Sequence, residues 1–160
     1  MEVRNVQRPV YLTPEGAEQL KQELNFLVNV RRPELARILR RAIQQGDLSE
    51  NADYIAAKEE QAFLEGRIQQ IEAILRNAVI IQPNGNTGII DLGNRVTLLE
   101  EGAEAPEVFQ LVGPAEADPL RGKISHESPL GQALLGRRPG EVVTVHAPGG
   151  IVRFHILAVE

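Results

Sequence analysis

Two runs of apolar residues at coiled-coil spacing, separated by a break of only a few residues, constrain this chain more than any other feature of its sequence. The first follows Thr13, which suits a helix cap, and Pro14, which suits the first helical position. Glu15 and Glu18 then complement the positive end of the helix. Its seam reads Leu20, Leu24, Leu27, Arg31, Leu35, Ile38 and Ala42, with Arg31 as the one interruption. Pro33 lies inside the run. Because the seam resumes in phase after it, the proline is expected to bend the helix and not to end it. The second run reads Ala57, Gln61, Leu64, Ile68, Ile71, Leu75 and Ala78. Two helices joined by so short a break must fold back antiparallel. At roughly 28–32 residues each they would extend about 40–48 Å, too long for a globular core to cover.

The second half follows a different grammar. After Val79-Ile80-Ile81 comes a turn cluster, Pro83-Asn84-Gly85-Asn86, and then short β-like runs. These fall at Arg95–Glu100, Val108–Val112, Val142–His146 and Ile151–Val159, the last two joined by the hairpin signal Ala147-Pro148-Gly149-Gly150. A short helix is expected over Pro129–Leu135, with Ser128 as cap and Gly136 as stop. The expected fold class is α+β: a coiled-coil hairpin domain over residues 1–79 and an antiparallel-sheet domain over residues 80–160.

Composition narrows the function. The 160 residues include no cysteine, so disulfides and thiolate metal sites are excluded. The absence of cysteine suits a reducing cytoplasm. No apolar run reaches the ~20 residues of a membrane span, and the N-terminus shows no apolar signal core. A net charge of −5 argues against a dedicated duplex-DNA binder. Residues 1–80 hold 11 Lys/Arg against 12 Asp/Glu, and residues 81–160 hold 6 against 10. His126, His146 and His155 have no metal-ligand spacing, and neither a Ser-His-Asp arrangement nor a phosphate loop is present.

The chemistry-bearing residues concentrate where the two helices meet. Gly46-Asp47-Leu48-Ser49-Glu50-Asn51-Ala52-Asp53-Tyr54 holds three acids within seven residues. Asp47 and Glu50 have the spacing of a capping box. They are also hard oxygen donors of the kind Mg²⁺ seeks, too few to hold the ion alone. Just before them lie Arg31, Arg32, Arg37, Arg40 and Arg41, opposed only by Glu34. Two readings stand here. One is a solvated face neutralised by Glu59, Glu60 and Glu65 of the return helix. The other is a phosphate-contacting patch, joined by Lys58.

On these residues the sequence resembles the GreA family of bacterial transcript cleavage factors. The likeness begins at Leu12-Thr13-Pro14-Glu15-Gly16 and runs through Arg31-Arg32-Pro33-Glu34, the 46–54 segment and Ala56-Ala57-Lys58-Glu59. It continues in Glu65-Gly66-Arg67-Ile68, Ile124-Ser125, Ser128-Pro129 and Pro148-Gly149-Gly150. The resemblance implies a cytoplasmic, monomeric elongation factor with an FKBP-like second domain that docks at the rim of the secondary channel of RNA polymerase. The hairpin would enter that channel and help the polymerase cut the nascent RNA 3′ end of backtracked complexes. It further implies that Asp47 and Glu50 act at the catalytic centre by sharing a loosely held Mg²⁺ with the polymerase. Lys58, Arg37, Arg40 and Arg41 would contact RNA, and Ser49, Asn51, Asp53 and Tyr54 would support the tip. The chain itself would be no independent enzyme. Ile43 and Ile55 stand where related factors often carry basic or polar residues, and are expected to clasp the helices together. The rivals are a polymerase inhibitor on the same fold, a prolyl isomerase and a plain coiled-coil adaptor.

Overall fold

The computed structural model describes residues 8–46, 51–82 and 87–160. The chain divides into two compact units. One comprises Ala17–Asn77, and the other combines residues 8–16 with Ala78–Glu160. The division therefore does not fall at a single cut between residues 79 and 80. The reason is a pair of short strands, β1 (Val10–Leu12) and β2 (Ala78–Ile80), which pair parallel with Val10 opposite Ala78 and Leu12 opposite Ile80. Backbone hydrogen bonds thus tie the start of the chain to the segment after the hairpin.

In the helical unit, α1 (Pro14–Phe26) passes through one π-helical stretch at Leu27–Arg31 into α2 (Arg32–Gln44). The helix does not stop at Pro33, as the sequence predicts. How it accommodates the proline is specific. Pro33 has no N–H to donate, and its ring would collide with the carbonyl four residues back. A wider turn just before it, in which Arg32 N–H donates to the Leu27 carbonyl, inserts one extra residue into the helix. That residue rotates the helix beyond it. Leu39, 8% exposed, takes the buried place expected of Ile38, which is 37% exposed. The return helix α3 (Ala52–Arg76) has 25 residues, fewer than expected. Leu35, Leu39, Ala57, Leu64 and Ile68 form the seam core, with Leu24, Leu27, Val28 and Tyr54 against its edges.

In the second unit, five strands line up as β5-β4-β3-β7-β6. They are β3 (Arg95–Glu100), β4 (Glu107–Val112), β5 (Lys123–Ser125), β6 (Val142–Ala147) and β7 (Gly150–Val159). All neighbours are antiparallel except β4 and β5, so the sheet is mixed. The parallel pair needs a crossover, which the 3₁₀ turns at Pro114–Glu116 and Pro119–Arg121 supply. Alternation puts Val96, Leu98, Leu111, Ile124, Val143, Ile156 and Val159 on one face. There Leu134 of α4 (Pro129–Leu134) completes the core, and Ser128 caps α4 as expected, its hydroxyl accepting from Gly131 N–H at 3.1 Å.

The same unit holds the first turn of α1. Thr13 Oγ1 accepts from Gly16 N–H at 3.0 Å, the expected cap. Glu116, whose side chain is 7% exposed, accepts from the Thr13 backbone at 3.0 Å and from the Thr13 hydroxyl. A Cβ on Gly16 would lie 2.3 Å from the Glu116 carboxyl carbon, so a side chain there would have to displace the Glu116 carboxylate that Thr13 holds.

Candidate functional site at the end of the hairpin

The two helices of the hairpin are secured at their joined end by one side chain. Asn51 is the N-cap of α3: its Oδ1 accepts from Tyr54 N–H at 3.1 Å. Its Nδ2 donates to the Ala42 carbonyl of α2 at 2.8 Å. A single amide therefore satisfies one free donor of the helix that begins and one free acceptor of the helix that ends. The N-cap of α3 is thus Asn51, one of the residues expected to support the tip. On the other side Gly46 has φ +109°, a conformation open to glycine, and closes the end of α2. Asp47 and Glu50, together with Ser49, lie outside the described residues.

Around this end Tyr54 packs on the seam core, and Lys58, one turn on, holds its ammonium 5.9 Å from the Tyr54 ring centroid. Lys58 also donates to Gln61 at 3.3 Å, and among the described residues no carboxylate pairs with it. Asp53 sits in the first turn of α3, where its carboxylate complements the positive helix end. Ile43 and Ile55 do not clasp the helices. Both are exposed and stand outside the seam core, because Asn51, Tyr54, Ala42 and Ala57 already fill the contact.

The arginine run divides in two. Arg31 pairs with Glu34 at 3.0 Å and with Glu60 across the hairpin. Arg32 makes a two-pronged bond to Glu65, 2.8 Å at both Nε and Nη2, which raises the Arg32 pKa. Further from the joined end Arg67 grips Glu23 in the same way at 2.7 and 2.8 Å. That hydrogen bonding holds the Glu23 carboxyl below its ordinary range. Arg37, Arg40 and Arg41 differ. Among the described residues none has a carboxylate within ion-pair distance, and Arg37 donates only to the Pro33 carbonyl at 3.4 Å. Glu60 and Glu65 thus neutralise Arg31 and Arg32, whereas Glu59 neutralises none of the run. The three tipward arginines and Lys58 remain exposed cations on either side of residues 46–51. Sequence spacing could not separate the paired arginines from the unpaired ones, since both lie in one run of like charge.

Among the described residues no three His, Asp or Glu side chains come together as a metal site, and no helix is long and apolar enough to cross a membrane. The geometry is that of a stiff two-helix arm with basic flanks at its turn.

Residues 10–80 match the family described as transcription elongation factor, N-terminal, and residues 84–160 match the GreA/GreB C-terminal family. The chain is 49% identical over 150 residues to transcription elongation factor GreA of Geobacillus kaustophilus, covering 93% of this chain and 95% of that protein. It is 45% identical over 149 residues to GreA of Bacillus subtilis, with the same coverage. Among solved structures, GreA factor homolog 1 of Thermus thermophilus is 37% identical, with a TM-score of 0.44, over 96% of this chain and 99% of that one. With both halves matched in order, the chain belongs to the GreA/GreB family of transcription elongation factors.

Proposed function

We propose that this protein enters the secondary channel of bacterial RNA polymerase by its hairpin and stimulates the polymerase's own cleavage of backtracked RNA. It acts as a cofactor of that reaction and not as a separate enzyme. The observation that carries the reading is the segregation of charge along the hairpin. Interhelical carboxylates engage Arg31, Arg32 and Arg67, and leave Arg37, Arg40, Arg41 and Lys58 uncompensated among the described residues at the joined end. Unpaired cations at the end of a rigid arm suit the phosphates of a displaced RNA 3′ end.

Asp47 and Glu50 are the acids of this end. Their donor chemistry fits Mg²⁺, which takes carboxylate oxygen, and two carboxylates leave most of an octahedral shell to other ligands. Held there in the polymerase complex, such an ion would supply Lewis-acid activation of water for phosphodiester hydrolysis. The chain's own residues do the rest by position. Asn51 fixes the start of α3 against the end of α2, Asp53 and Tyr54 stabilise its first turn, and Lys58 with the tipward arginines holds the RNA phosphates. Factor and polymerase thus each contribute part of one active site.

The test is a defined backtracked elongation complex with Mg²⁺ present. Wild type should shorten the RNA. Asp47→Ala combined with Glu50→Ala should bind polymerase as before and lose cleavage by about 100-fold or more, the scale on which removal of catalytic groups is felt. Slower synthesis without cutting by wild type would identify an inhibitor on the same fold. Undiminished activity of the double variant would sink the assigned role of the acids.

A further inference from the structure

One face of the five-stranded sheet gathers cations that the hairpin reading does not use. Arg95 on β3 stands opposite Gln110 on β4, and Gln110 stands opposite Lys123 on β5. Directly paired residues project to the same side of a sheet, so the three form one row. Arg121 joins them from the turn that leads into β5, and with Val108 and Gly122 they line a groove of about 200 Å³. Residues 81–160 hold six Lys/Arg against ten Asp/Glu, yet three of those six cations meet here. The turn that carries Arg121 and Lys123 is tightly held. Asp118 and Lys123 exchange backbone hydrogen bonds of 2.8 and 3.0 Å, and the Gly122 carbonyl accepts from Gln110 N–H at 2.7 Å. A Cβ on Gly122 would lie 2.9 Å from the Val108 carbonyl oxygen. The backbone beneath the cations is therefore in place before any ligand arrives.

Their charge is poorly compensated. Among the described residues Arg95 has no carboxylate within ion-pair distance. Arg121 Nε lies 3.5 Å from Asp118, and Lys123 Nζ lies 3.8 Å from Glu116, whose oxygens already accept from Thr13. Gln110 donates to the Gly93 carbonyl at 3.5 Å and has a second amide N–H to give. Charge, spacing and size then select the ligand. Guanidinium forks match phosphate oxygens, and a lone carboxylate brings one charge against three. Arg95 and Lys123 stand two strand spacings apart, roughly 9.5 Å. A single phosphate, at about −1.5 to −2 charges, leaves a cation unmatched, whereas two linked phosphoryl groups reach all three. A groove of about 200 Å³ is smaller than the ~300–1,000 Å³ of sites that enclose a drug-sized molecule, and no aromatic side chain lines it to stack a base. A net charge of −5 opposes a long polyanion. At physiological salt that field is screened beyond about 8 Å, so a short anion meets chiefly the three cations beside it.

We propose that this groove binds a diphosphate group, with one phosphoryl group at Arg95 and the other between Lys123 and Arg121. Free inorganic pyrophosphate and the diphosphate end of a nucleotide carry that chemistry alike. The site belongs to this chain alone, so its test does not depend on the elongation-factor reading. The full chain is titrated with inorganic pyrophosphate in Mg²⁺-free buffer, followed by calorimetry and by the amide NMR signals of Gln110 and Gly122. One saturable site is expected, about tenfold tighter than for orthophosphate. Arg95→Gln and Arg121→Gln should each weaken it about tenfold or more, and Arg95→Lys about threefold, since the charge stays and the fork is lost. Arg40→Gln, in the hairpin, should leave it unchanged. ADP binding as tightly as pyrophosphate would extend the ligand to nucleotides, and much weaker ADP binding would confine it to the free ion; both support the groove. Absence of a saturable site, equal affinity of wild type, Arg95→Gln and Arg121→Gln, or a loss produced only by Arg40→Gln would overturn it. So would equally tight binding of an RNA oligonucleotide through the same residues, which would make the groove a contact for nucleic-acid backbone. Arg121 lies outside the strands with its side chain 82% exposed, so its variant tests the groove even if Arg95→Gln disturbs the sheet.

Discussion

The two units of this protein use opposite means to hold their shape. The sheet unit has a core of nine buried apolar residues drawn from five strands, a helix and a loop, many far apart in sequence. The hairpin's seam core is a smaller cluster, Leu35, Leu39, Ala57, Leu64 and Ile68, and the hairpin adds to it bidentate ion pairs on its flanks, Arg32 with Glu65 and Arg67 with Glu23. A closed core favours rigidity that is indifferent to salt. A narrow seam between two helices gains less from packing alone, so ion pairs on its flanks add to its cohesion. The difference shows how a hairpin can be basic at one end without being sticky along its length: carboxylates engage the cations that stabilise it and leave the others.

The comparison can be broken first in the core. Leu134→Ala, at a wholly buried site, should destabilise the sheet unit by about 2–5 kcal/mol, read as a lower urea midpoint of its β signal. A drop under ~1 kcal/mol would mean that the sheet does not depend on closed packing. Asn51→Ala comes next. Losing the cap should cost about 1 kcal/mol of helix stability, measured by circular dichroism, and also release the Ala42 carbonyl. Cleavage should fall more than stability does, because the variant loosens the end that carries the acids; an unchanged rate would contradict that.

The smallest effect belongs to the Glu23–Arg67 pair. Glu23 has its folded pKa held below the unfolded value, chiefly by the Arg67 hydrogen bond. Its stabilisation is therefore present above the ordinary carboxylate range and is lost as pH falls through the depressed folded value. Both side chains are more than one-third exposed, so water screens the pair to a few tenths of a kcal/mol. Arg67→Gln should abolish this acid-side loss and most of its salt dependence, as followed by helix melting between neutral and acidic pH. An unaltered pH profile would show that the flanking ion pairs contribute nothing.

Much of this architecture was legible in the sequence. The expected strand at Arg95–Glu100 stands where alternation put it, and Pro148-Gly149 turns between β6 and β7. What escaped was short or non-local. Strands β1, β2 and β5 have three residues each, too few to show a period, and exist because partners far along the chain accept their hydrogen bonds. Ile38 and Leu39 are equally apolar neighbours, so only the helix geometry upstream could decide which one faces the seam. At the candidate site, Lys58 and the arginines were found by type, but which arginines pair depended on carboxylates some thirty residues away. Asn51 was foreseen as support, yet its double role needed the Ala42 carbonyl to be brought beside it.

The extra residue at Leu27–Arg31 has a further consequence. In an α-helix each residue advances the direction of its side chain by about 100°. An insertion therefore acts as a rotational offset between the stretch before Leu27 and all of α2 after it. The bearing of Arg37, Arg40 and Arg41 around the hairpin axis is set by a single turn several residues upstream, and the proline that interrupts the helix in sequence is what keeps that offset in place.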